Sequence, residues 1–134
     1  MKSAINKVGL AVLDDNRLLL VRNEGTEALL MPGGKVEDYD PSDEAALARE
    51  IREELDCNVE KTTLQFLGVF SDVAANNPGK TVDIKLYAGS LVGEPRISSE
   101  IAELVWFDLT SVDFDRLSPI VANKIVPFLR DRDL

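Results

Sequence analysis

Three glutamates occupy positions 50, 53 and 54 in the segment Arg49-Glu50-Ile51-Arg52-Glu53-Glu54-Leu55. On a helix with about 100° per residue, these positions fall within one arc of about 100°. Like charges at such spacings oppose helix formation, whereas clustered carboxylate oxygens are the ligands that Mg²⁺ or Mn²⁺ prefers. The alternative is a solvated helix face on which Arg49 pairs with Glu53. The spacing therefore allows a divalent-metal site but does not by itself require one.

A glycine pair precedes the acidic segment, in Pro32-Gly33-Gly34-Lys35-Val36-Glu37. Glycine permits backbone conformations and close approaches that other residues do not, and successive loop N–H groups can face phosphate oxygens. Taken alone, a glycine pair more often marks an ordinary turn. Together with the glutamates that follow, this loop favours a metal-assisted site for a phosphorylated ligand.

The two segments together resemble the signature of the Nudix hydrolases. That signature is a glycine, five residues, a glutamate, seven residues, and then Arg-Glu-aliphatic-x-Glu-Glu-x-Gly-aliphatic. Gly34 matches its opening, and the run from Arg49 to Glu54 reproduces its catalytic helix. The match spans residues 34–57, and the flanking elements fit the family fold. The resemblance therefore extends over most of the chain.

The chain departs from this signature in the loop before the helix and just after the helix. Asp40 stands at the glutamate position, with eight residues instead of seven before Arg49, and Tyr39 occupies a position where glycine is frequent. Asp56 replaces the glycine after the helix, and Cys57 takes the final aliphatic position. Asp tolerates left-handed backbone better than most residues, and cysteine packs as a small hydrophobe. For Asp40 only a helix-capping role is expected.

The resemblance implies a reaction and a cofactor. Nudix hydrolases cleave a nucleoside diphosphate linked to another group by attack of water on phosphorus, with Mg²⁺ or Mn²⁺. It implies that Glu50, Glu53 and Glu54 ligate the metal. It also implies that one of them, or a carboxylate outside the signature, acts as the base; in the MutT branch that base is the glutamate matching Glu50. The identity of the base and the number of metal ions stay open. Arg49 is expected to join the catalytic group by orienting a glutamate.

A further carboxylate and several substrate contacts follow from the same comparison. Glu100 lies six residues before Trp106, the spacing of an additional metal-binding glutamate in MutT-type members. The alternative for Glu100 is an ordinary charge at the edge of a loop, and Trp106 is expected in the core. The loop 76–80 is a candidate substrate edge by composition. The residues expected to bind the substrate are Gly33, Gly34, Lys35 and Arg22.

Composition excludes several other functions. The chain has no histidine, which rules out a Ser-His-Asp triad, a Cys-His pair, and histidine-ligated zinc or haem. Its single cysteine allows no intrachain disulfide and suits a reducing compartment. With 15 Lys and Arg against 24 Asp and Glu, the net charge of −9 repels nucleic-acid polymers. No apolar run is long enough for a membrane span. We therefore expect a cytoplasmic protein with a small nucleotide as its partner; a homodimer is left open.

The elements that must position these residues follow from periodicity and turn composition. The length of 134 residues suits one domain, over 1–134. Apolar runs at 8–13 and 17–22 predict a hairpin, and a helix is expected at 41–55, capped by Asp40 with Pro41 first. Further predictions are strands at 28–31, 63–73, 81–92 and 104–107, a loop at 74–79 and a closing helix at 119–130, weakened by Pro127. These elements indicate an α/β or α+β sandwich. The family resemblance implies the α/β class, in the form of a Nudix-type α/β/α sandwich with a mixed β-sheet.

Substrate choice stays open at the level of sequence. After Cys57 the first proline is Pro78 and the first tyrosine is Tyr87, both later than the positions typical of ADP-ribose-type and diadenosine-polyphosphate-type members. Elimination favours a MutT-like nucleoside triphosphate pyrophosphohydrolase, with oxidised nucleotides among its candidate substrates. The alternatives are an ADP-ribose or nucleotide-sugar pyrophosphatase and, in another class, a non-catalytic nucleotide-binding sensor.

Overall fold

The computed structural model describes residues 4–132. The strands are β1 (Ala4–Ala11), β2 (Leu13–Asp14), β3 (Arg17–Asn23), β4 (Gly33–Lys35), β5 (Asn58–Val73), β6 (Thr81–Val92) and β7 (Ile101–Asp108). The helices are α1 (Asp43–Leu55), a π-helical turn (Val121–Ile125) and α2 (Val126–Arg130). We call the π-helical turn and α2 together the closing helix.

The strands form two sheets. The larger sheet has the order β4-β1-β6-β5, in which β1 runs parallel to β6 and the other pairs are antiparallel. The smaller sheet, of order β2-β3-β7, is antiparallel throughout. The predicted mixed sheet is therefore confirmed, and it arises from the parallel pairing of β1 with β6.

The strand β3 is buried on both of its faces. Leu18 and Leu20 pack into a core cluster with the closing helix, whereas Leu19 and Val21 pack into a second cluster with α1. Because successive side chains of a strand point to opposite faces, the sheets lie between two helical layers. This arrangement confirms the predicted α/β/α sandwich.

The helix α1 begins later than the sequence indicated. Ser42 is its N-cap, and the Ser42 hydroxyl accepts a hydrogen bond of 3.1 Å from the Ala45 N–H. The prediction that Asp40 caps the helix and that Pro41 is its first residue is therefore wrong. Asp40 accepts instead from the Glu37 N–H, within the preceding loop. At the other end Asp56, with a φ of 51°, takes the left-handed conformation usual for a glycine.

Replacing Ser42 by alanine should destabilise the protein without altering its site. The substitution removes the only side-chain acceptor for the first turn of α1 among residues 4–132, a loss of about 1 kcal/mol. Urea unfolding of Ser42→Ala against the wild type measures this change. An unchanged midpoint would show that water serves the Ala45 N–H equally well.

The predicted hairpin over residues 8–13 and 17–22 is only partly correct. Leu13 pairs with Leu18 across the turn Asp15-Asn16, whose residues both have positive φ, as tight two-residue hairpins require. Most of the first run, however, forms β1 in the other sheet, beside β6. The pairing of β1 with β6 joins residues far apart in the chain, so local patterning does not indicate it.

The segment before α1 also differs from the prediction. Residues 28–31 form isolated bridges at Leu29 and Leu30, not a strand. The glycine pair, predicted as a loop, opens β4, which pairs antiparallel with β1. Glycine usually weakens a strand, and its presence here reflects the close approach of neighbouring chain segments.

The remaining elements are confirmed, with some extension at their ends. The predicted strands at 63–73, 81–92 and 104–107 correspond to β5, β6 and β7. In the closing helix the Val126 N–H donates to the Val121 carbonyl, an i→i+5 bond that widens the turn. Pro127, which has no N–H to donate, follows directly. None of the helices within residues 4–132 combines the length and apolarity needed to span a membrane.

Candidate active site

A cleft of about 400 Å³ lies where β1, β4 and α1 meet the loop after β5 and the start of the closing helix. Its volume is in the range of small-molecule sites. The predicted site residues that line it are Gly33, Gly34, Lys35, Glu50, Glu53, Glu54 and Glu100. The structure thus brings together seven residues that the sequence proposed, from three separate parts of the chain.

The glycine pair lets α1 lie directly against β4. Gly33 has a φ of 139°, and a Cβ there would overlap the carbonyl of Val8 on β1. A Cβ on Gly34 would overlap the carboxylate of Glu50. The Gly33 N–H donates a hydrogen bond of 3.1 Å to the Glu54 carboxylate. The glycines therefore serve the packing of two glutamates against the backbone.

The three helix glutamates have unequal environments. Burial raises the pKa of the Glu54 carboxyl to about 8, in spite of the Gly33 hydrogen bond that favours the charged form. Burial also raises the pKa of Glu50, and the Arg49 guanidinium opposes that effect. Glu53 is more open, with about half of its side chain (52%) exposed. A cluster of carboxylates that is partly removed from water is electrostatically costly without a cation nearby.

Arg49 lies behind the carboxylates and outside the cleft lining. Its guanidinium bonds both carboxylate oxygens of Asp40, at 3.0 and 2.8 Å, and donates to Glu50 at 2.9 Å and Glu53 at 3.5 Å. The side chain of Asp40 is only 4% exposed, and the bond to Arg49 lowers the pKa of that carboxyl. A fork of two parallel bonds fixes the plane of a guanidinium. Asp40 therefore holds Arg49, and Arg49 orients two glutamates.

Arg22, which was expected to bind the substrate, binds other residues of the protein outside the cleft lining. Its guanidinium donates to Glu103 at 2.9 Å and to the Thr26 carbonyl at 3.1 Å. Hydrogen bonds from Arg116 and Arg22 lower the pKa of Glu103 to about 2. The structure thus places Arg22 in an ion-pair network between β3 and β7 and not in the cleft lining. Trp106 is partly buried against the α1 core cluster, as expected.

Lys7 is a cleft residue that sequence reasoning missed. It lies on β1 opposite Lys35 of β4 and lines the cleft beside Glu50 and Glu54. Burial lowers its pKa, and the two glutamates counteract that effect. Its position depends on the pairing of β1 with β4, for which no local motif exists. Asn76 and Asn77 also line the cleft, in the loop proposed as a substrate edge.

The residues present fit a divalent cation in their chemistry. Within residues 4–132, no three acidic or cysteine side chains are already gathered in a metal-binding arrangement. Glu50 and Glu53 each give one oxygen to Arg49, and Glu54 gives one to the Gly33 N–H. Each carboxylate keeps a second oxygen, and hard oxygen donors that repel one another are the set that Mg²⁺ or Mn²⁺ prefers. The exposed Glu53 can turn towards the cleft at little cost.

Comparison with known proteins agrees with this geometry. A family model described as the NUDIX domain matches residues 5–129. A MutT Nudix hydrolase from Burkholderia pseudomallei is 29% identical, with a TM-score of 0.74 over 93% of this chain and 96% of that one. No curated protein matches the chain significantly.

Two more distant solved structures share the fold. A MutT protein from Methanosarcina mazei is 21% identical, with a TM-score of 0.73 over 98% of both chains. An ADP-ribose pyrophosphatase from Streptococcus suis is 23% identical, with a TM-score of 0.64 over 96% of this chain and 92% of that one.

The fold and the acidic cleft define a phosphoric-anhydride hydrolase. The chain belongs to the Nudix family, since the family model covers nearly all of it. It is a hydrolase that acts on pyrophosphate bonds.

Proposed function

We propose that this protein is a MutT-type pyrophosphohydrolase, which converts a nucleoside triphosphate and water into a nucleoside monophosphate and pyrophosphate. The observation that carries the proposal is the convergence of Glu50, Glu53 and Glu54 with Lys7 and Lys35 on one cleft. Carboxylates without a cation would repel a polyphosphate in this acidic protein. We infer that the three glutamates hold Mg²⁺ or Mn²⁺, which supplies the positive charge that phosphate oxygens and a developing transition-state charge need.

Each side chain of the site has a distinct task under this proposal. Glu50 or Glu53 accepts a proton from the attacking water, because the chain has no histidine to do so. Lys7 and Lys35 meet the phosphate oxygens as point charges from adjacent strands. Glu54, the most buried of the three, serves as a metal ligand fixed by the Gly33 N–H.

The ADP-ribose or nucleotide-sugar pyrophosphatase activity is the second candidate. The similarity to an ADP-ribose pyrophosphatase structure supports it, but only through the shared fold. The MutT Nudix hydrolase at 29% identity supports the first candidate more directly. Either activity uses the same carboxylates, and the two differ in the group attached to the nucleoside diphosphate.

A panel of substrates decides between the candidates. Purified protein is incubated with nucleoside triphosphates, oxidised nucleotides, ADP-ribose and nucleotide sugars, with Mg²⁺, Mn²⁺ or EDTA. Products are detected by coupling to inorganic pyrophosphatase in one assay and to a phosphatase in the other. We expect metal-dependent pyrophosphate release from a triphosphate. Sugar phosphate release alone would favour the second candidate, and nucleotide binding without turnover would favour a sensor.

Asp40→Ala is expected to lower turnover about tenfold through loss of orientation. Without its fork, Arg49 no longer holds Glu50 and Glu53 in fixed positions. The matched control is Asp38→Ala, in the same loop, because Asp38 is exposed and makes no hydrogen bond within the described residues. Steady-state kinetics together with melting curves test this role. If Asp40→Ala had a lower melting temperature but normal turnover, Asp40 would have only a structural role.

Glu100→Gln should give a smaller loss of turnover than changes in the helix glutamates. Glu100 lines the cleft from the exposed turn before β7, and its metal-ligand role is carried over from the resemblance alone. The expected sign of ligation is a higher Mg²⁺ requirement, read from turnover against metal concentration. If the metal dependence matched the wild type, Glu100 would be an ordinary surface charge.

Location and assembly stay predictions. The single cysteine, Cys57, is buried and unpaired among the described residues, which accords with the cytoplasmic location proposed from the sequence. The single domain over 1–134 likewise stays a prediction, and the homodimer is left open as before.

A further inference from the structure

An open groove of about 600 Å³ lies between α1 and the start of β5. It is bordered by residues 48–53 of the helix and 58–61 of the strand, and we call it the α1–β5 groove. Its lining includes the cationic side chains of Arg49, Arg52 and Lys61 together with the acidic side chains of Glu53 and Glu60. The groove therefore gathers more positive than negative charge in a protein whose net charge is −9.

Two of the cations in the groove have no carboxylate partner. Arg49, the third, binds Asp40 at 2.8 Å. Arg52 and Lys61 are both exposed, and neither forms an ion pair among residues 4–132. The chain has 24 acidic residues against 15 basic ones, so carboxylates are abundant and cations are not. Two unpaired cations that line one groove are available to an anionic ligand.

The guanidinium of Arg52 is held in place by the strand. It donates a hydrogen bond of 2.6 Å to the Oδ1 atom of Asn58, the first residue of β5. Arg52 lies in the last turn of α1, where a cation also complements the helix dipole. That effect accounts for the charge of Arg52 but not for Lys61 on the neighbouring strand. A guanidinium has five N–H donors, so a fixed Arg52 keeps donors for a ligand.

The groove adjoins the cleft at Glu53. This side chain lines both of them, and Arg49, which lines the groove, donates to the Glu53 carboxylate at 3.5 Å. Glu53 is the open end of the row of helix glutamates, and Glu54 is its buried end. A polyphosphate that is bound through a cation at these glutamates and extends past Glu53 would therefore meet Arg52 and Lys61.

We propose that the α1–β5 groove binds the terminal pyrophosphoryl group of the substrate, the part that is released as pyrophosphate. The inference rests on the proposed function, which takes the substrate to be a nucleoside triphosphate. Arg52 and Lys61 donate charge-assisted hydrogen bonds to the oxygens of this group. Lys7 and Lys35 in the cleft meet the phosphate nearest the nucleoside. The two pairs of cations thus divide the triphosphate between the groove and the cleft.

Titration with inorganic pyrophosphate in EDTA tests the groove by itself, because glutamates without a cation repel the anion from the cleft. Binding is followed by NMR of the backbone amides in the wild type, Arg52→Gln/Lys61→Gln and the control Arg17→Gln/Lys124→Gln. The control removes the same two charges from exposed residues outside the groove and the cleft. We expect the wild-type shifts at residues 52–61. The first variant alone should bind pyrophosphate about tenfold more weakly.

Three results of this titration would overturn the assignment. They are shifts confined to Lys7 and Lys35, equal weakening in the control variant, and a wild type that does not bind pyrophosphate. Melting curves separate binding from a structural role. If Arg52→Gln/Lys61→Gln melted at a lower temperature but kept its affinity for pyrophosphate, the two residues would support the fold and not a ligand.

Steady-state kinetics with Mg²⁺ connect the groove to the substrate. For the triphosphate that is hydrolysed fastest, Arg52→Gln/Lys61→Gln should raise KM about tenfold and change kcat less, whereas the control keeps both values. An unchanged KM in a variant that no longer binds pyrophosphate would show a separate anion site and overturn the substrate assignment. Pyrophosphate binding in the groove without hydrolysis of any triphosphate would instead overturn the proposed function alone.

Discussion

Glu54→Gln is expected to reduce turnover at least a hundredfold while the protein stays folded. Glutamine has the same shape and can still accept the Gly33 N–H bond, but its neutral amide is a poor ligand for Mg²⁺. The same substitution should not destabilise the metal-free protein. The pKa of Glu54, raised to about 8 by burial, means that the folded state disfavours the charged carboxylate. Activity and stability should therefore change independently.

The measurement compares kcat with Mg²⁺ and the unfolding midpoint in EDTA for both proteins. Glu94→Gln is the matched control, since Glu94 is exposed in the loop after β6, outside the cleft lining. Like Glu54→Gln, it replaces one glutamate by a glutamine, so it reports any general effect of losing an acidic side chain. Near-normal turnover of Glu54→Gln would refute the metal-ligand assignment.

Gly34→Ala is expected to abolish most activity, by about a hundredfold, with only a small effect on stability. The new Cβ would occupy the position of the Glu50 carboxylate. That carboxylate is the flexible end of a side chain and can move aside, so the fold tolerates the change. Moving it breaks the bond to Arg49 and displaces a metal ligand, and errors of about 1 Å at a catalytic group are costly.

Gly33→Ala provides the contrast. Its Cβ would meet the carbonyl of Val8 on β1, which is fixed backbone, and its φ of 139° disfavours any side chain. We expect this variant to lose stability, whereas Gly34→Ala loses turnover. Circular dichroism melting and kinetics on both proteins test the pair. If Gly34→Ala kept wild-type kinetics, the close packing of β4 on Glu50 would not matter for function.

The sequence predicted the functional helix well because that information is local. The apolar residues Leu47, Ile51 and Leu55 recur at helical spacing, and all three are fully buried. Their register also sets where the glutamates point. The prediction was correct at one end of α1 and wrong at the other. Asp56 takes the expected left-handed conformation after the helix, whereas the N-cap is Ser42 and not Asp40. Both residues can cap a helix, and the nearby guanidinium of Arg49, which binds Asp40, decides between them.

The parts that could not be predicted depend on contacts between distant segments. Lys7 lies in the cleft because β1 pairs with β4. Arg22 lies outside the cleft lining, where it donates a hydrogen bond to Glu103 of β7. Apolar alternation indicates that a segment is a strand but not which strand it pairs with. For this reason the positions of the glutamates on α1 could be predicted from the sequence, whereas the place of Lys7 in the cleft and that of Arg22 outside it could not.

The pairing of strands in the two sheets also determines when this protein can fold. Val8 of β1 pairs with Lys85 of β6, and Leu20 of β3 pairs with Val105 of β7. Contacts between such distant residues must overcome the entropy of closing long loops before they stabilise the chain. On the ribosome, the apolar strands β1 and β3 therefore emerge long before these partner strands exist. The nascent chain carries exposed strand edges through most of its synthesis, and folding completes only when its last third is available.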